Sequence, residues 1–225
     1  MQFSVGIARV TQMSVAESKQ YLAEVKADRL QDFADRLTHF RENAAPFVGA
    51  TIATTSENWP VFALTAAVVA TDMEGIPVRK ADAIRGYHKQ TTGAEDDPRA
   101  DHKLTQAMFA GLAVRYLRNG DITSTTILAA NGIVSRMRDS RMDALRERIK
   151  DEGLDADALK ANRLNKVKMI LQVGGKLALV SPLSRRREVR LAGLALTTLG
   201  TVSGLLGERA FTRNVEQLSA ANHKN

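Results

Sequence analysis

Carboxylates gather in one stretch of this 225-residue chain, with Asp72 and Glu74 just before Gly75 and then Asp96, Asp97 and Asp101. Asp97 and Asp101 are four residues apart, so on a helix they share a face. Two helix ends that each offer two carboxylates present hard oxygen ligands for divalent cations, as enzymes acting on diphosphates require. Gly75 and Gly93 let a phosphate or nucleotide approach the backbone. The Arg79 guanidinium is placed to neutralise it. Taken alone, the same residues read equally as helix caps and solvated charges.

The elements that would position these groups are helices. Residues 43–56 and 58–71 are charge-free and separated only by Glu57, and further charge-poor runs cover Leu104–Val114, Ile122–Ser135, Met169–Ser184 and Leu191–Gly207. Several are rich in Gly, Ala, Ser and Thr, which let helices pack closely. No run reaches the 18 or so uninterrupted apolar residues of an unambiguous spanning helix. The mean hydropathy of −0.21 and the net charge of +7 suit a soluble basic α protein. Six soluble helices are therefore the competing reading of these runs.

Charge distribution favours a bilayer. With the N-terminus inside and six helices following, the inside segments 1–42, 72–103, 136–168 and 208–225 hold 25 Lys and Arg, and the outside segments 115–121 and 185–190 hold 6. That is the asymmetry of the positive-inside rule. The first forty residues show no signal-peptide pattern, and residues 1–34 are the amphipathic segment. Their spaced apolar residues among charges predict an amphipathic helix at a membrane interface. Residues 136–168 alternate charge signs and read as a solvated helical connection, and 208–225 as a polar tail. With no cysteine, thiolate metal sites, disulfides and cysteine nucleophiles are excluded. His39, His88, His102 and His223 lack metal-ligand spacing and are expected to be solvated, although His102 adjoins Asp101. Trp59 beside Pro60 fits an interfacial anchor or an ordinary loop contact. No P-loop or Rossmann fingerprint is present, and only net charge points toward nucleic acid.

Gly93-Ala-Glu-Asp-Asp97-Pro-Arg-Ala-Asp101-His-Lys-Leu resembles the second half of the signature of the CDP-alcohol phosphatidyltransferases, D-x-x-D-G-x-x-A-R-x8-G-x3-D-x3-D. Its Asp-Pro-x-Ala-Asp-x-Lys-Leu wording is closest to the phosphatidylglycerophosphate synthase branch. Thr71-Asp72-Met73-Glu74-Gly75-Ile76-Pro77-Val78-Arg79 resembles an altered first half: Gly75 and Arg79 keep their spacing, Val78 replaces alanine, and Asp72 precedes Glu74 by two residues instead of three. Leu37-Thr38-His39-Phe40-Arg41 with Pro46 is similar to the family's L-T-x-x-R-x4-P opening. The segment from Ile127 to Arg138 is similar to I-I-A-R-E-x-x-V-S-x-x-R, with Ala130-Asn131 replacing Arg-Glu. Asn165-Lys166-Val167-Lys168 through Gln172 is similar to G-K-x-K-T-x-x-Q.

The resemblance covers about residues 35–207 and implies an all-α fold: a six-helix transmembrane bundle preceded by the amphipathic interfacial helix, multi-pass in the cell membrane. It implies a homodimer with its active site facing the cytoplasm. The activity implied is transfer of a phosphatidyl group from CDP-diacylglycerol to an alcohol acceptor such as glycerol 3-phosphate, with release of CMP. Asp72, Glu74, Asp97 and Asp101 would hold two divalent cations, Mg2+ or Mn2+, and Asp101 would also act as general base. Gly75, Arg79 and Gly93 would border the CDP moiety, and Arg138, Lys166 and Lys168 would bind the acceptor phosphate. Residues two apart on a helix point in different directions, so Asp72 and Glu74 do not reproduce the family's i, i+3 pair without local distortion. An active divergent enzyme, an inactive relative and a non-catalytic helical protein that binds membrane or a partner are the readings left open.

Overall fold

Charge-poor runs bounded by capping residues should make helices, and they do. The computed structural model describes residues 15–56, 58–71, 75–86, 93–153 and 163–222. Among these the chain forms α1 (Val15–Thr54), α2 (Trp59–Ala70), α3 (Gly75–Arg85), α4 (Gly93–Arg118), α5 (Ile122–Asp151), α6 (Arg163–Val180) and α7 (Arg187–Asn222), with a 3-10 turn at Pro182–Arg185 and no strand. The Asn58 side chain accepts from the Val61 N–H at 2.9 Å, and Pro60 sits in the first turn of α2, where its missing donor costs nothing. Gly120, at a φ of 75°, turns the chain between α4 and α5. Asp121 then caps α5, accepting from the Ser124 N–H at 3.0 Å and its hydroxyl at 2.7 Å.

The all-α reading holds, with three differences from the sequence pattern. The amphipathic segment and the first charge-free run are one uninterrupted helix, α1, about 60 Å long at 1.5 Å per residue, with Pro46 inside it. Residues 136–151 are not a solvated connection, because they complete α5 and bury Arg138, Asp139, Met142 and Ile149. Residues 208–222 continue α7 and place Phe211 and Val215 against Met142 and Ile149. In each case an alternating-charge surface hides one apolar or paired face. Among the described residues, one helix is long and apolar enough to cross a membrane, over Arg187–Ala220, and α2 is a shorter apolar helix.

Two helix pairs organise the bundle: α1 lies along α4, and α6 along α7, while α5 bridges α4 and α7 and α3 packs on α1. Small residues set the distance within each pair. A Cβ on Gly111 of α4 would stand 2.4 Å from the Gly49 carbonyl oxygen of α1, and one on Gly175 of α6 would stand 2.7 Å from that of Gly193 on α7. Arg115 and Arg118 of α4 donate to the Ile52 and Ala53 carbonyls at 2.9 and 2.6 Å, satisfying acceptors that the end of α1 leaves open. Between the pairs, Val48, Ile52, Phe109, Leu112, Leu128 and Leu179 form the main apolar core. Arg190 of α7 approaches Asp121, at the start of α5, at 3.6 Å.

Adjacent glycines on α6 test this packing. Gly174 has nothing within 4 Å of an added Cβ, whereas at Gly175 it would meet Thr197 N at 2.8 Å. Gly174→Ala should stabilise the fold by about 0.5–1 kcal/mol through lower chain entropy. Gly175→Ala should cost roughly 1–3 kcal/mol through overpacking. Thermal unfolding of both variants, followed by circular dichroism, should show opposite shifts; shifts of the same sign would refute the α6–α7 contact.

Candidate functional site

Four-residue spacing carries a file of polar side chains into the bundle. On α6, Lys168, Gln172 and Lys176 recur every four residues, and on α4 Asp101 and Thr105 do the same. Arg41 of α1 is fully buried, and its Nε lies 3.2 Å from Asp101 Oδ1. Asp139 of α5 is the counter-ion beside it. Its Oδ1 is 2.7 Å from Arg138 Nη1, 3.1 Å from Lys168 Nζ and 3.5 Å from His102 Nε2. His102 also faces Asp143 at 3.7 Å. Arg138 Nε donates to the Gly204 carbonyl of α7 at 3.2 Å.

One turn further in, the Gln172 amide donates to Ser135 and Thr201 hydroxyls at 3.1 and 3.0 Å. Another turn in, the buried Lys176 donates to Thr105 at 3.2 Å, with its ammonium 4.8 Å from the centre of the Phe109 ring. The file therefore crosses from the α1–α4 pair to the α6–α7 pair.

Electrostatics follow from this crowding. Burial pushes the Asp139 carboxyl up, but Lys168, His102 and Arg138 outweigh it and hold it below the ordinary carboxylate value. Burial pulls the His102 imidazole below its ordinary value in spite of Asp139 and Asp143. It also lowers the Lys168 ammonium, against the attraction of Asp139. Asp139 Oδ2 is buried without a hydrogen-bond partner among the described residues.

The structure brings together Asp101, Arg138 and Lys168 of the residues singled out in the sequence. Lys166 and Arg79 lie on exposed surfaces, outside the buried cluster. Lys166 is two residues from Lys168, so the helix turns it away. Gly75 and Gly93 begin α3 and α4. Asp72 and Glu74, and the side chain of Asp97, lie outside the described residues. Among the described residues there is no group of three or more His, Asp or Glu side chains able to hold a metal. Asp101 offers an oxygen donor that is 26% exposed, which suits a hard divalent cation; Asp139, ringed by cations, does not.

His102 corrects the expectation of a solvated imidazole, since 77% of its side chain is hidden. Asp139, Lys176 and His102 were not assigned site roles from sequence. Position gives the available signal: Asp139 follows a matched arginine, and Lys176 extends the four-residue spacing of Lys168 and Gln172. Compared with known families, curated proteins and solved structures, the chain gives no match.

Asp139→Asn should leave Arg138 and Lys168 buried without their shared counter-ion, at a cost of about 3–5 kcal/mol. The wild-type contribution is complete above the ordinary carboxylate value of 3.8 and disappears as pH falls through the depressed folded value. Stability measured from pH 7 down to pH 2 should therefore fall more steeply in wild type than in Asp139→Asn. Parallel curves would show that Asp139 is not the counter-ion.

Proposed function

We propose that the chain is a six-span membrane enzyme of phospholipid synthesis, transferring a phosphatidyl group from CDP-diacylglycerol to glycerol 3-phosphate with release of CMP. The observation that carries this reading is the convergence of separate sequence segments on one polar cluster. Arg41 meets Asp101, and Arg138 and Lys168 share Asp139, which His102 links back to α4. Asp101 takes the proton from the acceptor hydroxyl. Asp72, Glu74, Asp97 and Asp101 would hold two divalent cations, Mg2+ or Mn2+, which supply charge neutralisation at the diphosphate. Gly75, Arg79 and Gly93 border the CDP moiety, and Arg138 and Lys168, with Lys166 from outside the cluster, attract the acceptor phosphate. The active protein is a homodimer in the cell membrane with this cluster toward the cytoplasm.

A second reading, a non-catalytic helical relative that binds membrane or a partner, is favoured by the Arg41–Asp101 pair, because a base already held by a guanidinium is a weaker proton acceptor.

Purified protein given CDP-diacylglycerol, Mg2+ or Mn2+ and glycerol 3-phosphate should release CMP. Asp101→Asn should lower the rate at least about 100-fold. Absence of CMP with any of a panel of alcohols would leave the second reading in front. Extraction by carbonate without detergent would rule out six spans.

A further inference from the structure

Exposed charge is absent from a belt around the bundle. Within 43–56, 58–71, 104–117, 122–135, 169–184 and 191–207 the only charged side chains are Arg115 and Lys176, and both are buried. Outward positions at this level carry Phe47, Leu64, Val114, Ile133, Ile170 and Leu199, each at least 45% exposed. Contacts hold the segments level. Arg41–Asp101, Gly49–Gly111 and Ile52–Arg115 rise together along α1 and α4, as Asp121–Arg190, Asn131–Thr198 and Arg141–Glu208 do along α5 and α7. Each edge of the belt is a rim of charges tied in place. Glu42–Lys103 and Arg141–Glu208 mark one rim; Asp121–Arg190 and Arg118, which donates to the Ala53 carbonyl at 2.6 Å, mark the other.

The belt is low, and its height varies. Lys103 and Arg118 on α4 are 15 residues apart, about 22 Å along the helix, and Arg190 and Glu208 on α7 are 18 apart, about 27 Å. A typical bilayer has about 30 Å of hydrocarbon, which takes about 20 residues of helix to cross. Long basic side chains ordinarily close such a gap by reaching outward. Here Lys103 is held by Glu42 and Arg118 by a backbone carbonyl, so neither is free to do so. We infer that the belt is a docking surface for phospholipids with short acyl chains, and that the bilayer is thinnest along α1 and α4. Hydrocarbon requires both level rims and apolar residues on every helix that crosses it, whereas a folded partner would cover one face. The tallest part of the belt lies on α7, the helix that is long and apolar enough to cross a membrane among the described residues. The inference rests on the membrane reading above and adds to it the thickness of the bilayer; it needs no catalysis.

The chain has a single tryptophan, and Trp59→Phe with Ala110→Trp moves it to an exposed position midway between Lys103 and Arg118. The full chain with these changes can be reconstituted in phosphatidylcholines whose monounsaturated chains have fourteen, eighteen or twenty-two carbons. Competition with a brominated lipid, read as fluorescence quenching, gives the relative affinity for each length. The shortest lipid should be held at least about threefold better than the longest. Glu42→Leu with Lys103→Leu removes the rim pair together, so no charge is orphaned. The next exposed charge on α4 is then Arg99, about one helical turn further out. In that background the preference should move to the eighteen-carbon lipid. Equal affinity for all lengths, preference for the longest, or a preference that the double substitution leaves unmoved would overturn the inference while the membrane reading stands. Absence of quenching by any brominated lipid would remove both. CMP release is read separately, so absence of turnover with the length preference intact removes only the transferase reading.

Discussion

The bundle depends on Asp139. One carboxylate on α5 answers cations from its own helix and from α6, and it faces an imidazole on α4. Buried like charges repel strongly at low effective dielectric, so Arg138 and Lys168 can share the interior only with an anion between them. This concentrates the electrostatics of three helices at one atom, Oδ1, and leaves the second oxygen without a hydrogen-bond partner among the described residues. The apolar core around Phe109 and Leu112 adds cohesion but contains nothing comparably specific about which helix lies beside which.

Much of the architecture was legible before any coordinates. Charge-poor runs marked where helices pack, and their richness in small residues pointed to close helix approach, which the structure makes at Gly49–Gly111 and Gly175–Gly193. Helix boundaries were less legible, because a solvated face and a buried face interleave at 3.6 residues. Met142, Ile149, Phe211 and Val215 are thinly spread among charges, and segments that average out as polar are in fact half core. Continuity was misread at Phe33–Phe47 for the same reason: a change in composition along α1 looked like a boundary where the backbone has none.

The site divides in a similar way. Asp101, Arg138 and Lys168 were found from motif wording, and the fold brings them into one polar cluster. Asp139 was hidden in a run of alternating charge, where its neighbours suggested solvent. A counter-ion is defined by what surrounds it in space, and spacing along one helix does not carry that information. Lys176 was visible only as an interruption in a charge-poor run; its Thr105 and Phe109 partners come from another helix.

Arginine clamps at one end of the α1–α4 pair, glycine contact in the middle and the Arg41–Asp101 and Glu42–Lys103 pairs at the other end fix the two helices in register along most of their shared length. Sliding one past the other would break all three at once. The α6–α7 pair is similarly joined through Gly175, Gly193 and the Gln172–Thr201 bond. The seam between the two blocks is crossed by the polar contacts His102–Asp139 and Lys176–Thr105. Widening that seam would separate these polar partners and also part the apolar core of Val48, Ile52, Phe109, Leu112, Leu128 and Leu179 that lies between the pairs, so the polar file and the main core hold or open together.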